Sequence, residues 1–217
     1  MTPVGHENLD ERLLHRMLFF TDAVFAIVLT LLVLELRPPE AVGMAAQLHA
    51  LGEMAPKLFA FALSFAIIAI FWVAHMSTTR LLAHFDWPTA AANLCFLFPV
   101  CLVPFVSAWL GEGLGTTIAW EAYAMVMIAT SAGNVAMVWL SSRKGGRLLA
   151  GGLPPGERLY RASRAASPGL AFLVGLVLLA LGQVRWAQFC WVLIPIFLWV
   201  RERLHARYLR RTAMASA

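Results

Sequence analysis

Six long apolar runs separated by short polar connections organise the sequence, at about residues 19–36, 58–78, 89–110, 118–140, 166–182 and 186–200. At about 1.5 Å per helical residue, runs of this kind match a hydrocarbon layer about 30 Å thick, the last two being the shortest. The pattern predicts an all-α integral membrane protein with six transmembrane helices in one membrane domain, residues 1–217, and no room for a soluble domain. Pro38 and Pro39 end the first run sharply and open the longest external connection, Arg37 to Pro56. The stretch from Ser141 to Arg164, rich in Gly, Pro and Arg, predicts a cytoplasmic loop or a short interfacial helix, and residues 201–217 a basic cytoplasmic tail.

Composition agrees with the pattern: 60% of residues are hydrophobic and 13% charged, whereas soluble domains carry about 25% charge. Of the 17 Lys and Arg residues, 14 fall on one side of the predicted topology, and only Arg37, Lys57 and Arg185 on the other. Positive charge stays inside, so both termini are expected in the cytoplasm of a multi-pass plasma-membrane protein. The net charge of +5 then reflects this bias and an attraction of anionic lipid to the basic loop and tail; nucleic acid need not be invoked. The first run follows Asp10, Glu11, Arg12 and His15 without a cleavage site, which predicts a retained helix and not a signal peptide. Cys95, Cys101 and Cys190 lie within apolar runs and read as packing residues.

One residue breaks the first run in an informative way. Asp22 lies near its head, where a carboxylate without a partner is expensive to bury. At about 100° per residue, Thr30, Leu31 and Leu34 each fall within about 60° of Ile27, while Asp22 lies about 140° away from it. Arg16, about 120° from Asp22, is a poor partner along the helix. Asp22 therefore needs a partner from another element. Trp72 and His75, neighbours at i, i+3 on the second run, and Asn93 on the third offer an indole donor, an imidazole and an amide. Such groups serve as interhelical glue worth about 1 kcal/mol or less, or take a direct part in transport.

Arg16-x-x-x-Phe20-Thr21-Asp22 resembles the Arg-x-x-x-Phe-Ser-Asp signature that opens the first helix of the transmembrane protein 175 (TMEM175) family of potassium channels. Phe71-Trp72-x-x-His75 resembles the aromatic and histidine motif of that family's second helix, and Asn93 with Pro104-Phe105 is similar to its third. Thr21 replaces the usual Ser and keeps the hydroxyl. The motifs cover roughly the first half of the chain; the second half agrees only in span count and its basic loop. The resemblance implies a six-helix subunit in a homotetramer, with four copies of the first helix around a central pore. Animal members carry two six-helix repeats per chain, and the single motif copy here fits the bacterial form. The resemblance also places the pore constriction and lining on Ile27, Thr30, Leu31 and Leu34, with Arg16, Phe20, Thr21, Asp22, Trp72, His75 and Asn93 as a polar and aromatic network.

The implied function is a potassium-permeable cation channel gated by a ring of apolar side chains, with potassium as permeant and no cofactor. The Thr-Val-Gly-Tyr-Gly filter of ordinary potassium channels is missing, so the expected preference for potassium over sodium is modest. An alternative reading is a proton-coupled transporter or proton leak using Asp22 and His75. Against it stand the lack of an internal inverted repeat and of interrupted mid-membrane helices. An enzyme is not expected, because the chain has no His-Glu-x-x-His, Gly-x-Ser-x-Gly or paired-Asp pattern.

Overall fold

The computed structural model describes residues 9–113, 116–143, 148–149 and 156–215, with side chains to Tyr208. Among the described residues eight helices run in the order α1 (Leu9–Leu34), α2 (Met44–Glu53), α3 (Ala55–Thr79), α4 (Trp87–Glu112), α5 (Thr117–Ser141), α6 (Glu157–Ala180), α7 (Val184–Ala187) and α8 (Leu193–Ala215), with a 3-10 turn at Cys190–Val192. Among the described residues α1, α3, α4, α5 and α6 are long and apolar enough to cross a membrane. The protein is an all-helical membrane protein.

Local chemistry explains several boundaries. Asp10 and Glu11 complement the positive end of α1. Pro56 sits in the first turn of α3 and Pro88 in that of α4, where a missing N–H costs nothing. The Asp86 carboxylate caps α4 by accepting from the Thr89 amide at 2.9 Å and also pairs with Arg143 at 3.8 Å, tying the start of α4 to the end of α5.

Helix α5 packs between α4 and α6; α1 lies at one margin against α3 and α4, and α8 at the other against α6. Phe25, Val28 and Leu32 of α1, Ile67 and Phe71 of α3, and Phe96 and Val100 of α4 share one core with Tyr123 of α5 and Phe172 of α6. Because lipid is as apolar as this core, close packing and polar contacts between helices carry the association. Ser64 of α3 bonds Ser107 of α4 at 2.9 Å and Tyr123 of α5 at 3.0 Å, while Ser107 donates to the Ala60 carbonyl at 3.2 Å. Ser131 of α5 donates to the Ala165 carbonyl at 2.7 Å and accepts from the Gly169 amide at 2.9 Å. One hydroxyl thus enters the α6 ladder beside Pro168, a residue that cannot donate.

The expected boundaries shift in three places. Helix α1 starts at Leu9, well before residue 19, because Leu14 packs against Leu82 and Leu149 outside the apolar run. Residues 157–164, expected in a loop or a short interfacial helix, open the long helix α6. Two of their arginines are held: Arg161 pairs with Glu157 at 2.7 Å and donates to the Ser77 carbonyl, and Arg158 stacks 3.8 Å over the Trp139 ring. Residues 186–200 do not form one continuous helix but are divided among α7, the 3-10 turn and α8. Helix α8 nevertheless returns along α6, since His205 stacks on Tyr160 of the first α6 turn at 3.8 Å. The connection between α1 and α3 also holds a helix, α2, that the apolar pattern does not announce.

An unpartnered helix face and its polar anchor

Helix α1 turns two different faces to its surroundings. Thr21, Phe25, Val28 and Leu32 recur at helical spacing and are buried against α3 and α4. Ile27 and Leu34 are 56% and 68% exposed, and Thr30 and Leu31 on the same stripe are exposed too. Only 22% of the most apolar part of α1 is buried, against 44–50% in the other four long helices. The Thr30 hydroxyl donates to the carbonyls of Ala26 at 3.1 Å and Ile27 at 2.8 Å, so its lone pairs are left for an approaching cation.

Adjacent residues near the head of α1 are anchored to different helices. The Asp22 carboxylate accepts from the Trp72 indole of α3 at 2.9 Å. The Thr21 hydroxyl donates to the Met17 carbonyl at 2.9 Å and accepts from the Asn93 amide of α4 at 2.7 Å. Asn93, considered above as a partner for Asp22, therefore binds its neighbour, because successive side chains diverge by about 100°. His75 is buried, makes no hydrogen bond through either ring nitrogen, and stacks on Phe96 with centroids 4.8 Å apart and planes 10° apart. Phe25 of α1 touches the same cluster, 5.9 Å from Phe96 and 6.4 Å from His75. Arg16 and Phe20 are exposed, and no ion pair joins Arg16 to Asp22 among the described residues. Among those residues no cluster of His, Cys, Asp or Glu could hold a metal ion.

Sequence reasoning missed the Ser64, Ser107 and Tyr123 triad and the Ser131 bridge. Hydroxyls in mid-span were the available signal, but Ser is small enough to be tolerated without a partner, so its type alone does not reveal one.

The fold has solved counterparts. A crystal structure described as a lysosomal potassium-selective channel TMEM175 homolog from Chamaesiphon minutus is 27% identical with a TM-score of 0.71, over 87% of this chain and 97% of that one. The family described as endosomal/lysosomal potassium channel TMEM175 matches residues 16–104, the segment that holds Arg16, Asp22, Trp72, His75 and Asn93. Over that segment this chain is similar to the TMEM175 family. Two curated relatives, both named potassium channels, are from Streptomyces collinus (36% identical over 130 residues) and Chamaesiphon minutus (38% over 118). The matches cover 58% and 51% of this chain, and the chain spans 63% and 57% of those relatives' lengths. A variant of the MtTMEM175 potassium channel bound to a nanobody fusion shares the TMEM175 fold at 18% identity, with a TM-score of 0.63 over 95% of this chain and 99% of that one.

The anchor makes a stability prediction. Asp22→Ala strands the Trp72 N–H, and Trp72→Phe strands the carboxylate while keeping a ring; each should cost about 1 kcal/mol. Thermal unfolding in detergent should show both losses, and the double variant should cost less than their sum. His75→Ala removes the stacked ring from a closed core and should lower stability further, about 2 to 3 kcal/mol by the cavity it leaves.

Proposed function

We propose that this protein is a potassium-permeable cation channel, a homotetramer in a bacterial plasma membrane with four α1 helices around the conduction path. The observation that carries the reading is the exposed stripe of Ile27, Thr30, Leu31 and Leu34 on the least covered of the long helices. One such helix cannot enclose a path, whereas four related by rotation turn their stripes inward and bury them. Ile27 forms a hydrophobic constriction that passes ions only when widened or wetted, and Thr30, one turn on, offers hydroxyls in place of part of an ion's water. Selectivity from such a ring is modest, because no backbone carbonyl cage is built.

Helices α1, α3, α4, α5 and α6 with the returning α8 make six crossings, and the basic segments near Arg143 and Arg201 face the cytoplasm. Arg16, Phe20, Thr21, Asp22, Trp72, His75 and Asn93 serve to hold α1 in position and not to conduct. A proton relay through Asp22 and His75 is disfavoured, since no hydrogen bond joins them and the imidazole is enclosed by Phe25 and Phe96.

Purified protein in liposomes is expected to carry potassium without saturation and without coupling to a proton gradient. Saturable, gradient-coupled flux would replace the channel by a transporter. Crosslinking in membranes should run to four subunits, and a conducting monomer would overturn the assembly.

A further inference from the structure

Where the Arg-rich ends of α6 and α8 lie side by side, a cavity of about 570 Å³ opens between them, within the roughly 300–1,000 Å³ typical of ligand sites. Its wall is graded. Leu170 and Phe197 make an apolar end, and Tyr160, Arg201 and His205, with Leu159 beside them, lie at the other. The two helices are antiparallel, with His205 stacked on Tyr160, so the apolar end points along the span and the polar end away from it.

Arg201 gives the groove its chemistry. Its side chain is only 10% exposed; Nη2 pairs with Glu202 at 3.0 Å and the guanidinium lies 4.6 Å from the Tyr160 ring centre. Nε and Nη1 are buried with no hydrogen-bond partner, although a guanidinium carries five N–H donors in a fork suited to phosphate. The nearby carboxylates are already engaged. Glu202 also accepts from the Tyr160 hydroxyl at 2.7 Å, and Glu157 pairs with Arg161 at 2.7 Å and lies 3.7 Å from His205. Leaving buried donors unpaired is costly, and an anionic oxygen removes that cost. Beside the groove, exposed Trp199 with Arg203 5.1 Å from its ring has the aromatic and basic character of a membrane–water boundary.

We propose that this groove binds one anionic phospholipid, an acyl chain between α6 and α8 and the headgroup phosphate on Nε and Nη1 of Arg201. The inference rests on the membrane character of the chain and not on the conduction reading. It locates lipid recognition at one buried arginine, not in the diffuse charge of the tail.

The test is native mass spectrometry of the delipidated full chain in detergent after adding back phosphatidylglycerol or phosphatidylcholine. Wild type should retain phosphatidylglycerol about fivefold better, the scale of one arginine acting on an anionic headgroup. Arg201→Gln should lose that preference while still taking up either lipid. Ser163→Phe, which fills the groove without touching a charge, should lose both. In wild type alone, soluble glycerol phosphate should fail to displace phosphatidylglycerol, a measurement that needs no variant to fold. Equal retention of the two lipids by wild type, unchanged preference in Arg201→Gln, or displacement by glycerol phosphate would each overturn the proposal.

Discussion

Ile27→Asn is expected to raise potassium flux into liposomes roughly tenfold per assembled channel, which corresponds to about 1.4 kcal/mol off the barrier at the constriction. Asparagine has as many side-chain heavy atoms as isoleucine and is no bulkier, so the ring does not narrow, but it offers water two donors and an acceptor where the native ring offers none. Water then stays in the constriction, and an ion crosses with more of its shell intact. Discrimination between potassium and sodium should fall with the rise in flux, because the narrowest point no longer strips the ion. The opposite result has an equally definite meaning. If the stripe were buried against other helices, the amide would enter an apolar seam, and yield and thermal stability would fall with no gain in flux. Flux normalised to oligomer content, with tritrated detergent stability measured alongside, separates the two.

Gly169→Ala should be strongly damaging for so small a change. A methyl group at Gly169 would come within 2.5 Å of Ser131 Cβ and 2.8 Å of its hydroxyl, closer than real Cβ atoms come. Ser131 must retreat, and with it go the bonds to the Ala165 carbonyl and the Gly169 amide that repair α6 beside Pro168. Overpacking and two lost bonds together should cost about 2 to 4 kcal/mol. Combining it with Ser131→Gly makes room for the methyl but not for the bonds, so part of the loss should return. Unfolding followed by helical circular dichroism checks both, and a neutral Gly169→Ala would show that α5 and α6 do not meet this closely.

Much of the architecture was legible because apolar run length reports what must face lipid, and five runs gave long helices. What run length does not report is where a helix begins once charges enter. Arg158 and Arg161 read as residues of a loop or a short interfacial helix, yet both are engaged by the fold, Arg158 by the Trp139 ring and Arg161 by Glu157 and the Ser77 carbonyl. The broken passage at residues 186–200 was hidden for a related reason: hydropathy is blind to a 3-10 turn whose side chains stay apolar. At the site, the helical wheel separated the Ile27 stripe from Asp22, and the exposed and anchored sides of α1 follow that division. It could not say which helix each neighbour of Asp22 meets, since that depends on the azimuth of α3 and α4 around α1. The Asn93 amide consequently went to Thr21.

The composition of α1 also limits how such a channel could open. From Leu9 to Leu34 the helix contains neither proline nor glycine, whereas α4 contains Pro99 and Pro104 and α6 contains Pro168 and Gly169. Helices bend sharply at such residues and seldom elsewhere. The 26 residues of α1 are therefore a stiff rod about 39 Å long, longer than a hydrocarbon layer of about 30 Å. A displacement of its first turns, where Leu14 meets Leu82 and Leu149, is delivered to Ile27 undiminished as a tilt or a roll. In the proposed channel, compliance would reside in the outer helices, and the inner one would act as a lever without a hinge.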